Sequence, residues 1–458
     1  MAEPTTTTPD TRGQLLELTV GNPAHGGHFV ARHEGRVVFV RHALPGERVL
    51  ARVTDGGADA GFWRADTVRV LEPSGHRVAH PWQPADALLA AGAGRAPVGG
   101  AEFGHIALDE QRRIKAAVFS EQLRRLAGVE RAVTVEPAQE EHDGGLGWRT
   151  RAGFAVDAAG RLAMHAHRSE ELIPVRQMPL AVDAINALKL WEVDLAGVAR
   201  VEVAAPANGS TPLVLLIPET GTTPRRLAAV AAAIAPNQTV SVAAWEPEPA
   251  RLTRLRGRTW VLESCGAHEF RVSGDGFWQI HRQAPEILTR AVLDGVRPEP
   301  GGQAADLYAG AGLFTAPLAA AVGEGGRVLS VEGAPGTSRD ARKNLHAAPQ
   351  VEIVQGKVDR VLRSRFPPRR GRSGSGLDAV VLDPPRAGAG RAVVRQVDEL
   401  RPRVVGYVAC DPASFARDLG YFLSLGWELE TLRVFDLYPH THHMESFASL
   451  RLPATARR

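Results

Sequence analysis

Two side chains near the C-terminus have types and settings that could do covalent chemistry. The first, Cys410, follows the apolar, β-branched run Val404-Val-Gly-Tyr-Val-Ala409, which reads as a buried strand. Asp411-Pro412 cannot continue a strand interior and favours a turn. From Ser414 to Leu425 apolar residues return at helical spacing. Cys410 therefore stands where a strand ends and a helix begins, the edge of an open α/β sheet at which ligands bind. The helix N-terminus is expected to favour its thiolate. The chain has only 2 cysteines, so Cys410 is either a small core residue or a nucleophile. The second side chain is Glu445, which closes Pro439-His-Thr-His-His-Met-Glu445. It is a candidate proton acceptor in a loop before the last strand, or else a solvated carboxylate.

Other polar residues fall at the same kind of place. Asp306-Leu-Tyr-Ala-Gly-Ala-Gly312 sets glycines between a strand and a helix, where backbone can approach a ligand closely. Glu332 ends the next strand, where an acid would accept ribose hydroxyls. The second half of a pyrophosphate-binding fingerprint is absent, since Leu313-Phe-Thr315 follows. The pattern thus favours S-adenosylmethionine over a nicotinamide dinucleotide. Asp383-Pro-Pro-Arg386 ends a further strand; alone it is a stiffened turn, and with Asp383 at the same sheet edge it is part of a site. Amino-group methyltransferases carry an aromatic residue at its fourth place to stack a flipped base, and arginine there argues against exocyclic nitrogen as the target.

A cysteine beside such a cofactor suits a different acceptor. Pyrimidine C5 is not nucleophilic until a thiolate adds to C6, and the C5 proton must then be removed by a base. Cys410 and Glu445 are candidates for those two tasks. His440, His442 and His443 lack the thiol and acid neighbours of a zinc site and read as polar scaffold.

Several elements must position these groups. A chain of 458 residues, 44% hydrophobic and 23% charged, predicts two or three domains. No run of about 18 apolar residues occurs, and the Thr-rich N-terminus lacks a signal-peptide core. A soluble, cytoplasmic protein without structural disulfides is expected. The net charge of +3, with 54 basic residues that are nearly all arginine, permits a polyanionic partner without demanding one.

Residues 1–12 read as a disordered tail. Alternating runs between Gly and Pro turns over 13–72 predict a small antiparallel β-barrel. Its interleaved arginines and aromatics (Arg36, Phe39, Arg41, Arg48, Arg52, Phe62, Trp63, Arg64) are either nucleic-acid contacts or core and solvated surface. An amphipathic helix is predicted over 108–127, within a central α+β domain spanning 73–270. That domain is also expected to hold helices at 180–193 and 223–235. From 271 to 458, helices alternating with strands predict a parallel sheet closed by an antiparallel pair, 427–434 with 446–452. The stretch 364–376 reads as a Gly/Ser/Arg-rich loop.

Taken together, Gly276-Phe-Trp-Gln279, Asp306–Gly312, Asp383–Arg386, Ala409-Cys-Asp-Pro412 with Phe415-Ala-Arg-Asp-Leu419, and Tyr438–Glu445 resemble, in order, the motifs of the RNA uracil-C5 methyltransferases. The N-terminal barrel is similar to that family's OB-like TRAM domain, an RNA-binding module. The resemblance implies a class I, Rossmann-like α/β methyltransferase domain. It implies Cys410 as nucleophile and Glu445 as proton acceptor. Gln279, Tyr308, Glu332 and Asp383 would hold S-adenosylmethionine, with Arg386 and His443 in support. Many relatives bind a 4Fe-4S cluster, but its ligand positions here read His80, Val98, Ala101 and Met178, so no iron-sulfur cluster is expected. His281 stands where an asparagine is common.

The implied partner is structured RNA, rRNA rather than tRNA, acted on by a monomer. Alternatives are a tRNA m5U methyltransferase, a non-catalytic RNA-binding protein with a degenerate domain, and a methyltransferase of proteins or small molecules. The barrel and middle domain argue against the last, and the joint presence of Cys410, Glu445 and Glu332 against the second.

Overall fold

Strict alternation organises the N-terminal sheet. Strands β1 (Leu15–Thr19), β2 (Pro23–Ala24), β3 (His28–His33), β4 (Arg36–Arg41), β5 (Arg48–Asp55) and β6 (Phe62–Glu72) lie in the order β1-β5-β6-β4-β3-β2. In β1 the buried Leu16 and Leu18 alternate with exposed neighbours, the period-2 signal. The sheet is not wholly antiparallel as expected, because β4 and β6 pair in parallel. The reason is connectivity: β5 crosses to the far side of β6, which then returns between β4 and β5 in the direction of β4. The computed structural model describes residues 11–57, 59–139, 144–167, 169–248, 250–366 and 376–453. Residues 1–10 of the expected tail and 367–375 of the expected loop lie outside them.

The chain forms two compact units. The first takes Met1–Val118, Met164–Val175 and Tyr438–His443. Residues after 72 therefore belong in part with the barrel, and the physical cause is its core. Phe103, Ile106 and Ile114 pack with Phe29, Val38, Val40, Leu44 and Val49. The buried carboxylate of Glu47 accepts from Leu44 N at 2.8 Å and from both Arg77 Nε and Nη2 at 2.7 Å. This unit also holds α1 (Ala87–Gly92). The helix α2 (Leu108–Gln122) continues as a π-helical turn over Leu123–Ala127 and stops at Gly128.

At the first of the cluster positions implied by the resemblance, His80 Nε2 hydrogen-bonds Ala101 O at 2.9 Å, and its Nδ1 accepts from Trp82 N at 3.0 Å. The histidine-rich segment is a tether. Lys115 Nζ donates to Tyr438 O at 3.1 Å, His440 N donates to Gln111 Oε1 at 2.7 Å, and His442 N donates to Glu102 Oε1 at 2.9 Å. The His442 ring also pairs with the Glu102 carboxylate. Among the described residues no three His, Cys, Asp or Glu side chains group as a metal site, and no helix is long and apolar enough to cross a membrane.

The second unit takes Phe119–Ala163, Arg176–Leu437 and Met444–Arg458. It begins with β7 (Val135–Pro137), β8 (Arg151–Val156) and β9 (Leu162–His165); the short β10 (Leu172–Pro174) falls in the first unit. Then come α3 (Asp183–Asn186), β11 (Val198–Ala204), β12 (Leu213–Pro218), α4 (Pro224–Ala233), β13 (Ser241–Pro247) and β14 (Ala250–Arg256). Strands β9-β8-β11-β12-β13-β14 lie side by side. The helix expected over 180–193 is only the single turn α3, followed by a 3-10 turn at Leu190–Glu192. Asn186, the last residue of that turn, ties it back to the preceding segment, its Oδ1 accepting from Met178 N and its Nδ2 donating to Met178 O, each at 3.0 Å. Lys189 then takes φ 47.

After the hairpin β15 (Trp260–Cys265) and β16 (His268–Ser273) comes α5 (Ala284–Val296). The alternation that follows is β17 (Gln303–Leu307), α6 (Thr315–Val322), β18 (Arg327–Glu332), α7 (Pro335–Asn344), β19 (Val351–Gln355), α8 (Val358–Arg365), β20 (Ala379–Leu382), α9 (Gly390–Leu400), β21 (Val404–Ala409), α10 (Pro412–Ser424), β22 (Glu428–Asp436) and β23 (Glu445–Arg451). The sheet order is β19-β18-β17-β20-β21-β23-β22-β7. Strands β19 to β21 are parallel, and β20 and β21 are buried along their whole length, which accounts for their unbroken apolar runs. The chain direction reverses only at β23, antiparallel to both β21 and β22. β7, from a part of the chain read as belonging to the middle, adds an outer strand beside β22.

Phe447 anchors β23. It is 0% exposed, and its ring fills the space a side chain would need at Gly295. Phe447→Ala should lower stability by about 3–5 kcal/mol through the cavity it leaves, read as a lower urea midpoint.

Candidate active site

The parallel strands deliver the site by their carboxyl ends. The order reverses between β17 and β20, and a crevice opens there in sheets of this kind. Asp383 directly follows β20, and its N–H donates to Leu307 O at 3.2 Å. Cys410 directly follows β21. Its neighbour Asp411 is the N-cap of α10, accepting from Ser414 N at 2.8 Å, with Pro412 opening the helix.

Glu445 is the first residue of β23 and is 4% exposed. It is neither in the loop nor solvated, contrary to both expectations for its setting. The register explains why. Ala409 pairs with Ser446, so the next residues along the two antiparallel strands, Cys410 and Glu445, meet at the strand ends, near enough for the carboxylate to act on the thiol. Ser446 Oγ donates to Ala409 O at 3.0 Å and locks that register.

The thiolate expectation is corrected. Burial, then the carboxylates of Glu445 and Asp383, push the Cys410 thiol up to about 12, and only Arg386 opposes them. At the helix N-terminus the capping Asp411 carboxylate adds a further negative charge against the thiolate. Cys410 is held as a thiol until charge around it changes. Asp383 is pushed up to about 7 by burial and by Asp306.

The remaining predicted residues gather in the same unit. Gln279 Nε2 reaches Asp383 Oδ2 at 3.5 Å. Gln279 is buried behind Phe277, which is 63% exposed, while Trp278 packs on Phe270 at 5.1 Å between ring centres. His281 is buried, stacks on Trp148 at 5.8 Å and accepts from Gln283 N through Nδ1; burial holds it at about 4, a neutral ring that orients this loop. His443 lies in the first unit, its ring 4.0 Å from that of His442.

At the end of β18, Glu332 accepts from Gly310 N at 2.8 Å and from Ala334 N at 2.6 Å. Each oxygen keeps a lone pair for another donor. It thereby ties the glycine turn after β17 to the next strand. Tyr308 takes φ 66 at the start of that turn. Gly310 takes φ 55, and a Cβ there would meet nothing within 4 Å. Backbone with open space above it is what a closely bound nucleoside needs.

Sequence reasoning left Asp306 without a role. It is fully buried at the end of β17, its Oδ2 accepting from Thr315 Oγ1 at 2.6 Å while its Oδ1 has no hydrogen-bond partner. Burial pushes it up to about 7. An unmet acceptor, an open glycine turn and a strand-end acid with spare lone pairs fit a nucleoside carrying an ammonium group. Two more residues were quoted in a motif or a strand without a task, Tyr407 and Asp418. A charged residue inside the apolar face of α10 was the signal available for Asp418.

The parallel sheet, its switch-point crevice and the glycine turn have the architecture of an S-adenosylmethionine-dependent methyltransferase domain. Residues 9–59 match the TRAM domain, and residues 373–451 match the tRNA (Uracil-5-)-methyltransferase family. A Streptomyces avermitilis protein named as an uncharacterized RNA methyltransferase is 43% identical over 96% of this chain and 98% of its own. The 23S rRNA (uracil(1939)-C(5))-methyltransferase RlmD of Halomonas elongata is 31% identical over 96% of this chain and 90% of its own. The structure of Pyrococcus abyssi tRNA (uracil-54, C5)-methyltransferase in complex with S-adenosyl-L-homocysteine superposes with a TM-score of 0.68 at 18% identity, covering 95% of this chain and 100% of that one. This chain belongs to the S-adenosylmethionine-dependent RNA (uracil-C5) methyltransferases.

A raised thiol pKa has a direct consequence for the free enzyme. Alkylation of Cys410 by iodoacetamide should climb about tenfold per pH unit from pH 7 to 10 without a plateau, and Glu445→Gln should speed it at each pH by removing the nearest negative charge. Peptide mass spectrometry separates Cys410 from the buried Cys265. A plateau near pH 8 would contradict the electrostatics described.

Proposed function

We propose that this enzyme methylates C5 of a uridine in 23S rRNA by covalent catalysis, with Cys410 as nucleophile and Glu445 as the base that takes the C5 proton. The observation that carries the reading is the Ala409–Ser446 register, which brings Cys410 and Glu445 together at neighbouring strand ends. Gln279, Tyr308, Glu332 and Asp383 hold the cofactor, and Asp306 offers its free oxygen to the ammonium group. When bound, S-adenosylmethionine supplies an electrophilic methyl group and departs as the neutral thioether.

The residues then act in sequence. The thiol proton leaves as Sγ adds to C6 of the uracil, and the C5–C6 electron pair moves toward O4. Asp383, at about 7, accepts that proton at neutral pH and leaves Glu445 for the later step. C5 of the enolate takes the methyl group. Glu445 removes the C5 proton, the C5–C6 double bond re-forms, and Cys410 is expelled. Keeping the cysteine as a thiol protects it until substrate is present, so the raised pKa serves the mechanism. The target uridine must be flipped from any stack, because C6 is otherwise shielded.

The rRNA assignment follows the similarity to the Halomonas enzyme along nearly the whole chain. A tRNA uridine is the second reading, favoured by the family model over residues 373–451. A monomer working in the cytoplasm suits either RNA.

The test is mass analysis of 23S rRNA and tRNA transcripts incubated with S-adenosylmethionine. 5-Methyluridine should form in the rRNA and be lost in Cys410→Ala. With 5-fluorouridine transcripts, where no C5 proton can leave, a denaturing gel should show a stable adduct that requires Cys410. Glu445→Gln should trap the same adduct on ordinary RNA, with turnover down by at least about a hundredfold. Turnover at saturating substrate should rise with pH through about 7 as the raised Asp383 ionises. Glu332→Gln should weaken cofactor binding about tenfold by losing charge-assisted bonds, measured by calorimetry. Full methylation by Cys410→Ala would sink the covalent route.

A further inference from the structure

The Asp383-Pro-Pro-Arg386 strand end leads into a loop whose path is fixed from one buried side chain. Gly388 N donates to Pro385 O at 2.7 Å, closing a turn with Arg386 and Ala387 at its corners. Beyond the turn, Ala389 N and Gly390 N donate to Asp418 Oδ2 at 2.8 and 3.1 Å. Tyr407 Oη donates to the same oxygen at 2.7 Å and accepts from Ala389 N at 3.1 Å. The other oxygen, Oδ1, accepts from Arg417 Nε and Nη2 at 2.9 and 2.8 Å, and Arg417 Nη2 also donates to Ala387 O at 2.7 Å. Asp418 is 0% exposed.

The placement of this carboxylate is specific. Tyr407 lies on β21, three residues before Cys410, and Asp418 lies on α10, the helix that starts just after Cys410. Both grips on the loop thus come from the two elements that hold the thiol. Gly388 takes φ 77, and a Cβ there would stand 2.5 Å from Asp418 Oδ2 and 2.6 Å from Arg417 Nη2, so the loop backbone lies directly on the pair. A buried carboxylate with this many charge-assisted bonds is costly unless every partner is in place. The loop therefore has one permitted path. Arg386, at its corner, follows β20, which pairs in parallel with β21, the strand that leads into Cys410, and its positive charge favours the thiolate.

We propose that Asp418 is a positioning residue which, from the nucleophile's own helix, holds the Pro385–Gly388 turn so that Arg386 stays beside the Cys410 thiol. Asp418 touches neither RNA nor cofactor in this role. It acts through Arg386, so removing either should have the same consequence, and removing both should add nothing.

The inference rests on Cys410 being the reacting thiol, and it is tested on the full-length enzyme without RNA. Iodoacetamide alkylation of Cys410 is followed from pH 7 to 10 in wild type, Arg386→Met, Asp418→Asn, Gly388→Ala and Arg386→Met/Asp418→Asn. The expected result is a displacement of the pH–rate curve to higher pH in all four variants, with rates at pH 8 down by about three- to tenfold. The double variant should match Arg386→Met. Asp418→Asn at wild-type rate, or a double variant slower than wild type by the full product of the two single effects, would overturn the proposal. Gly388→Ala disturbs the contact by bulk rather than charge, and Tyr407→Phe removes one grip. These two carry the test if Asp418→Asn does not unfold cooperatively. A purely structural role would lower the urea midpoint without moving the alkylation curve. Failure to methylate any RNA would overturn the proposed function and leave this result standing. Methylation with an unmoved alkylation curve would do the reverse.

Discussion

The antiparallel insertion of β23 between β21 and β22 is the constraint on which the rest of the site depends. Parallel strands alone would bring Asp383 and Cys410 to one edge of the sheet, since both follow strands that run the same way. They cannot bring a second carboxylate opposite the cysteine, because each next parallel strand needs a crossover and ends at the same edge from its own side. A strand that runs back begins at that edge, so its first residue, Glu445, enters beside Cys410. The Ala409–Ser446 pair fixes the register, and a slip of one residue would turn Glu445 to the other face.

Bringing acids around a thiol sets the electrostatics. Glu445, Asp383 and Asp411 all oppose ionisation of Cys410, and burial adds to them. In the proposed mechanism, a carboxylate needed later for a proton therefore works against the nucleophile needed first. Arg386 is the counterweight, carried on a loop that has no regular secondary structure. Loops are placed precisely only when something rigid holds them. Here the hold comes from a buried acid on α10 and a phenol on β21.

The crevice proposed to take the nucleoside is built by the same economy of parts. Glu332 both closes the turn at Gly310 and keeps lone pairs for a ligand. Asn344, on α7, bonds Arg271 and Ala311 at once, so the hairpin that leads into Gln279 is tied to the glycine turn. The loop bearing Gln279 is steadied further by Arg151, which donates to Gly276 O at 3.0 Å. Each tie joins segments far apart in the chain.

The sequence by itself determined the alternation of strands and helices after residue 277, the strand-end positions of Glu332, Asp383 and Cys410, and the closing antiparallel pair. These follow from local period, turn residues and apolar runs, which are short-range properties of the chain. It also supported the family resemblance, since the motifs lie in order along one third of the chain. Tertiary structure alone decided that Glu445 is buried on a strand, that the thiol is held protonated, that β4 and β6 run parallel, and that residues after 72 pack with the barrel. Each of these depends on which distant segment lies alongside. The helix expected at 180–193 is interrupted where Lys189 takes φ 47, a left-handed conformation its periodicity could not announce. Asp418 shows the boundary between the two: its charge on an apolar helix face was visible in the sequence, but what it grips depended on a loop 28 residues away in the chain.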